Sequence, residues 1–333
     1  MVTINSIQVS PALLNSSCAW ASEEIQLREL YDSDFTGAVT TRTSTLNGFA
    51  EDSPAVHTVT FSSETITSLN SYGYSPHPLS TYLTWIESML ASDNAKKPIL
   101  ISITSSNPSE LEEMVDSIQK LRTKLNDSAD NQFSRIAIEL NTSCPNITYS
   151  PPPAYNPTDL SPLLEVLAKA YHSDRTLTIG LKLPPYTYVT QYSNLIEVVR
   201  SYTTEMKGEL WNPFSFFTCT NTLGSSLLFT EQTTTAFPSV SDTNDNPFAL
   251  PTHLGGLAGE AIHSLSLGNV YTFSQLLAKS EDPCMNRIVI IGVGGVTTPA
   301  AVSRMRKAGA QVVACATLLG RMGVRAFEIL SSV

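Results

Sequence analysis

Short apolar runs alternate with stretches of helical period through most of this chain. The runs Phe35–Thr40, Pro98–Ile103, Arg135–Leu140, Thr176–Leu183, Ser215–Thr220, Arg287–Gly292 and Gln311–Ala316 predict strands. Most are continuous rather than alternating, as expected of strands covered on both faces. Between them lie segments with one apolar face. Leu111, Met114, Val115, Ile118, Leu121 and Leu125 recur at helical spacing. Thr298 followed by Pro299 predicts an N-cap and first helical residue ahead of a helix over Ala300–Lys307.

This alternation implies parallel βα units and favours an α/β fold, a (β/α)8 TIM barrel with inserted loops or hairpins at its C-terminal face. The seven runs leave one strand to find, and a short eighth is expected near Thr252–Gly255. Without it, a doubly wound sheet stands as the competing architecture. Ser44–Tyr82 and Thr222–Gly259 carry few helical signals and read as long βα loops or hairpins. In a barrel such segments gather at the mouth. Pro151–Pro153 reads as a rigid loop rather than a boundary, so residues 1–333 are expected to form one domain.

Composition narrows the function classes. The 333 residues are 42% hydrophobic and only 15% charged, with a net charge of −10. An acidic balance argues against nucleic acid as partner, because phosphate backbones need a basic face. No stretch approaches the ~20 apolar residues that span a bilayer. Met1 to Leu14 lacks the basic and apolar regions of a secretion signal, so a cytoplasmic location is expected. The cysteines Cys18, Cys144, Cys219, Cys284 and Cys315 are scattered, without CxxC spacing. No metal site is expected from them. The Asn-x-Ser/Thr triplets at Asn15, Asn126, Asn141 and Asn146 carry no weight without a signal peptide.

The polar motifs recur at one place, just past a strand's C-terminal end. Asn141-Thr-Ser-Cys-Pro-Asn146, Lys182-Leu-Pro-Pro-Tyr186, Asn221-Thr-Leu-Gly224 and Gly292-Val-Gly-Gly-Val296 each follow an apolar run. In a parallel barrel these ends share one mouth. Gly292–Val296, followed by a helix start near Pro299, reads as a phosphate cradle, with Ala316-Thr317 as a second anion contact. It is not the GxGxxG dinucleotide fingerprint, so flavin mononucleotide suits it better than NAD. Cys219 and Cys315 lie inside strands and read as small buried hydrophobes. Cys144 lies in a polar loop, where a thiolate could act as base. Lys182 at a barrel mouth needs an anion or an electron-rich ring. The asparagines offer uncharged donor and acceptor edges suited to a planar imide ring.

Together with Leu69-Asn-Ser-Tyr-Gly73 and Gly255-Gly-Leu-Ala-Gly259, these motifs resemble the set of the class 1A (cytosolic, fumarate-linked) dihydroorotate dehydrogenases, in order and in spacing, from about Pro11 to Gly320. The resemblance implies FMN-dependent oxidation of (S)-dihydroorotate to orotate in pyrimidine biosynthesis, with fumarate as acceptor, in a homodimer. It implies that Asn70, Asn141, Asn146 and Asn221 hold the pyrimidine ring, with Arg42, Tyr72, Gly73, Tyr74 and Thr222 around it. Cys144 would remove the C5 proton while hydride leaves C6 for flavin N5. Ser16, Ser17, Arg42, Thr43, Asn141, Lys182, Thr220, Gly256, Gly294, Gly295, Ala316 and Thr317 would contact the flavin.

Departures from the pattern keep alternatives open. Arg42 stands where the family carries lysine, Cys18 where glycine is usual, and Ala316 where a phosphate-contacting glycine is usual. The family's C-terminal helical tail is also shortened or absent after Gly320. Arginine is planar and forked where lysine is a point charge. A related FMN oxidoreductase acting on another pyrimidine or an enone is the second reading. A catalytically silent flavin-binding homologue is the third.

Overall fold

The computed structural model describes residues 1–50, 56–91, 97–127, 133–144, 146, 152–234 and 247–332. Eight parallel strands form one sheet: Leu13–Asn15, Val39–Thr40, Ile99–Ile103, Ile136–Asn141, Thr178–Leu183, Phe214–Cys219, Val289–Val293 and Val312–Cys315. They are called here the first to eighth barrel strands. The first pairs with the eighth, and the sheet closes where Leu14 bridges Ala38 beside the second strand. The Asn15 amide completes the seam by copying a peptide group. Its Nδ2 donates to Thr40 O at 2.6 Å, and its Oδ1 accepts from Thr40 N at 2.9 Å. Closure makes this a (β/α)8 barrel and excludes the doubly wound sheet.

The seven expected strands are present with ends shifted by a few residues, most at Phe35–Thr40, where only Val39–Thr40 is extended. The eighth is not where it was expected. Leu254–Gly259 belongs to a separate antiparallel sheet with Leu223–Leu227, Thr67–Asn70 and Val59–Phe61. The missing barrel strand is Leu13–Asn15, whose three residues are too few to show any period. The two segments read as loops or hairpins supply this antiparallel sheet. The loop expected at Pro151–Pro153 lies partly outside the described residues, and a short 3-10 turn begins at Pro153.

Helices follow the strands in turn, among them Pro108–Lys124, Pro157–Ser173, His263–Ala278 and Pro299–Ala308. Leu111, Met114, Val115, Ile118 and Leu121 are buried against the barrel's outer wall. Thr298 Oγ1 accepts from Ala301 N, so the expected cap of Pro299–Ala308 is formed. Strand residues divide by alternation. Leu14, Ala38, Leu100, Ala137, Phe216, Ile291 and Ala314 form an interior cluster, closed below by Ile4, Ile7 and Val9. The hairpin Val2–Ile4 with Ile7–Val9 thus plugs the end opposite the mouth. Gly180 makes room inside: a Cβ there would lie 2.3 Å from the Phe216 ring. Among the described residues no helix is long and apolar enough to cross a membrane.

Candidate functional site

The inward alternation decides which strand residues reach the mouth. In the fourth strand Ala137, Glu139 and Asn141 share the inner face, and in the fifth Thr178, Gly180 and Lys182 do. Register pairs Asn141 with Lys182, and Lys182 with Thr218 of the sixth strand. The upper members of these rows open into a cleft at the C-terminal face.

The structure brings nearly all the candidate residues to this cleft. Ser16, Ser17, Arg42 and Thr43 come from the loops after the first two strands, and Asn70, Tyr72, Gly73 and Tyr74 from the antiparallel sheet and its exit. Asn141, Cys144 and Asn146 follow the fourth strand, Lys182 ends the fifth, and Thr220, Asn221 and Thr222 follow the sixth. Gly294, Gly295, Ala316 and Thr317 line it after the last two strands. Gly256 is the exception and stands behind the cleft lining. It is paired with Asn70 inside the antiparallel sheet, its carbonyl accepts from Asn70 Nδ2 at 3.1 Å, and Ala258 and Gly259 reach the cleft instead.

The asparagines act in two pairs. Asn146 Nδ2 donates to Asn70 Oδ1 at 3.1 Å and to Tyr72 O at 2.8 Å. Asn221 Nδ2 donates to Asn141 Oδ1 at 3.3 Å and to Ser143 O at 3.1 Å. Each pair joins elements far apart in sequence, so the amide edges are fixed before any ligand arrives.

Cys144 sits between the pairs, partly exposed to the cleft. Burial pushes its thiol pKa up, while the Asn146 backbone N–H, Lys182 and Arg42 pull it back toward the thiolate. Cys18 lines the same cleft, and burial raises its pKa to about 11 against the weaker pull of the Trp20 backbone, Lys182 and Arg42. That thiol stays protonated at neutral pH. Burial also raises the Tyr74 phenol, with the negative charge of Cys144 adding to it.

Lys182 is buried in the mouth, and its Nζ donates to Ser17 O at 3.1 Å. The Arg42 guanidinium donates to Ser22 Oγ at 3.2 Å and Gly73 O at 3.3 Å, and lies 5.2 Å from the Tyr72 ring centre. The cleft's positive charge therefore comes from two directions.

The glycine loop after the seventh strand is built to expose backbone. Gly294 and Gly295 have φ of 123° and 64°, and a Cβ on Gly295 would meet His263 Cβ at 2.5 Å and Gly259 O at 2.9 Å. Arg304 Nε donates to His263 Nε2 at 2.9 Å, which leaves the ring proton on Nδ1 to donate to Gly294 O at 2.8 Å. Thr297 Oγ1 donates to Glu260 Oε1 at 2.7 Å, tying this loop to the antiparallel sheet.

Some participants carried no readable signal. Ser68 and Trp20 line the cleft, and Ser68 Oγ lies 3.2 Å from Thr317 Oγ1. Cys315, read as a strand hydrophobe, is indeed buried but also lines the cleft floor. Ser102 and Glu139 lie one layer below the mouth inside apolar runs, where sequence alone treats them as strand residues.

No cluster of three metal-binding side chains occurs among the described residues. The cleft instead joins a glycine backbone cradle, two cations and neutral amide edges. Such a donor set fits a phosphate-bearing, ring-containing cofactor.

The family model described as dihydroorotate dehydrogenase matches residues 3–332. A Streptococcus pyogenes serotype M18 protein bearing the name dihydroorotate dehydrogenase A (fumarate) is 28% identical over 316 residues, covering 95% of this chain and 86% of that protein. A Streptococcus pneumoniae serotype 4 protein bearing the same name is 27% identical over 296 residues, covering 89% and 79%.

Proposed function

This chain belongs to the dihydroorotate dehydrogenase family, and from that premise we propose that it oxidises (S)-dihydroorotate to orotate with FMN as cofactor, fumarate as acceptor and Cys144 as base. It is an oxidoreductase acting on CH–CH groups. The observation that carries the reading is the convergence of Cys144, two locked asparagine pairs and Lys182 on one cleft with the Gly294–Gly295 loop. We also read residues 1–333 as one catalytic unit, cytoplasmic and homodimeric.

The residues divide the work by chemistry. Asn70, Asn141, Asn146 and Asn221 present fixed amide edges to a planar ring and fix its face. Arg42, with Tyr72, Gly73, Tyr74 and Thr222 around it, offers charge to the ring's carboxylate. Gly294, Gly295, Ala316 and Thr317 would hold the FMN phosphate, with Ser16, Ser17, Thr43, Lys182 and Thr220 along the rest of the cofactor. FMN, when bound, supplies the hydride acceptor. Cys144 takes the C5 proton as the C6–H bond breaks, so the substrate loses two electrons and two hydrogens in balance.

The test is direct. The purified protein should be yellow, and dihydroorotate should bleach it anaerobically, with colour returning on adding fumarate. A bound flavin that dihydroorotate leaves oxidised would sink the substrate assignment. The second reading, another pyrimidine or an enone, is favoured by one observation: Arg42 is engaged with Ser22, Gly73 and the Tyr72 ring. A panel of pyrimidines read by flavin spectral shifts separates the two, and tightest binding by orotate removes the second.

The base gives the reaction a pH dependence. Only the thiolate accepts a proton, so reduction is slow below its pKa and accelerates as pH rises through it. An ordinary thiol pKa is about 8.5, and burial raises that of Cys144. Stopped-flow reduction should therefore still be accelerating on the alkaline side of pH 8. A rate that is flat from neutral to alkaline pH counts against Cys144 as base.

The cradle makes a separate prediction. Gly295→Ala forces a side chain into a left-handed backbone already crowded by His263 and Gly259. FMN should bind roughly tenfold more weakly, following from the 1–2 kcal/mol of such strain. Flavin content equal to that of the parent protein after extensive dialysis would refute this.

A further inference from the structure

We infer that Glu139, a residue buried beneath the mouth and out of the cleft lining, sets the direction of a hydroxyl chain that makes Ser17 accept a ring N–H of the bound ligand. Glu139 sits one inward layer below Asn141 on the fourth strand and faces Ser102 of the third in register. Its carboxylate accepts on both oxygens, from Ser102 Oγ at 3.2 Å and from Thr218 Oγ1 at 2.7 Å. Ser102 Oγ lies 2.9 Å from Thr43 Oγ1, and Thr43 Oγ1 lies 2.9 Å from Ser17 Oγ. Asn141 Nδ2 also donates to Thr43 Oγ1 at 2.9 Å.

Geometry alone leaves the two hydroxyl–hydroxyl contacts without direction. Proton counting supplies it, because each hydroxyl has one hydrogen to give. Ser102 gives its hydrogen to Glu139, so at the next link it must accept, and Thr43 donates to it. Thr43 has then used its hydrogen. Its oxygen accepts from the Asn141 amide and, at the remaining position, from Ser17. The Asn141 amide cannot be reversed, since its Oδ1 accepts from the Ser143 backbone N–H at 3.1 Å. The Ser17 hydrogen therefore points into the chain, and Ser17 turns lone pairs toward the cleft. Ser17 O beside it is a second acceptor, already bonded by Lys182. The carboxylate acts through three hydroxyls without touching the ligand, which makes Glu139 a positioning residue.

Ser17 thus selects a ligand carrying a donor at this point, a ring imide N–H. Both the flavin ring of the proposed function, on which this inference rests, and a pyrimidine substrate carry that group. The experiment compares each ring with its N-methylated form: FMN against 3-methyl-FMN by fluorescence quenching on flavin-stripped full-length protein, and orotate against its two N-methyl derivatives by flavin spectral shift on the holoenzyme. The parent protein should prefer one N–H form by about tenfold, the worth of one well-aligned bond.

Glu139→Gln lets an amide N–H donate to Ser102, so the chain can reverse and turn the Ser17 hydrogen outward. The preference should collapse to within about twofold. Ser102→Ala breaks the chain at its second link with a smaller change in the core, and should give the same collapse if Glu139→Gln does not fold. Collapse in the FMN pair assigns the Ser17 contact to the cofactor, and collapse in the orotate pair assigns it to the substrate. An undiminished preference in either folded variant, or no preference in the parent protein, overturns the inference. Failure of the parent protein to bind FMN would instead remove the cofactor reading, and the orotate pair, then compared by titration calorimetry on the flavin-free protein, decides for Ser17.

Discussion

Replacing Cys144 by alanine should slow anaerobic flavin reduction by dihydroorotate about 10²–10⁴-fold, the usual worth of a positioned general base. The expectation follows from where the thiol stands. It lies on the loop after the fourth strand, between Asn141 and Asn146, whose amides are locked to Asn221 and Asn70. Removing the sulfur leaves those locks untouched, so ring binding should survive while proton removal fails. Orotate should therefore still shift the flavin spectrum of Cys144→Ala at concentrations close to those for the parent protein. The surviving rate should also lose its alkaline rise, because no remaining cleft thiol can replace the base. Cys18 is held protonated by burial, with a pKa of about 11, and Cys315 lies in the cleft floor with its thiol raised further by burial. A loss smaller than about threefold, or an unchanged pH profile, would show that proton removal belongs to another group.

Arg122→Ala should cost about 3–5 kcal/mol of stability, the usual penalty for breaking a buried ion pair from one side. Arg122 is fully buried near the C-terminal end of Pro108–Lys124, at the face opposite the mouth. Its guanidinium meets Asp127 at 3.4 Å, Asp174 at 2.5 Å and Thr176 Oγ1 at 2.8 Å. It joins the turn before the fourth strand to the turn before the fifth. Alanine leaves the Asp127 carboxylate, itself without solvent exposure, with Arg135 at 3.2 Å as its cationic partner. The midpoint of thermal unfolding should fall by roughly 5–10 °C. Turnover per folded molecule should be unchanged, since this network is remote from the cleft lining. A loss below about 1 kcal/mol would mean that water or Arg135 compensates fully.

The two results separate what the chain alone discloses from what its folding adds. Apolar runs revealed seven barrel strands because burial on both faces writes a local pattern, and strand ends disclosed the polar motifs because a chain leaving a barrel must turn at its mouth. The Thr298 cap and the helix after it were equally local. Leu13–Asn15 was hidden because three residues carry no period, and Leu254–Gly259 was mistaken for a barrel strand because its pairing is non-local. A glycine motif likewise does not say which of its members reaches the cleft: Gly259 lines it, while Gly256 pairs with Asn70. The sequence by itself determined the residue types at the mouth, including Cys144, Lys182 and the four asparagines. Only the tertiary structure decided which amides pair, that Asn15 closes the seam, and that Glu139 and Ser102 stand beneath Thr43 and Ser17. Local pattern reports whether a position is buried; hydrogen-bond partners and their direction depend on side chains from distant strands meeting across a closed barrel.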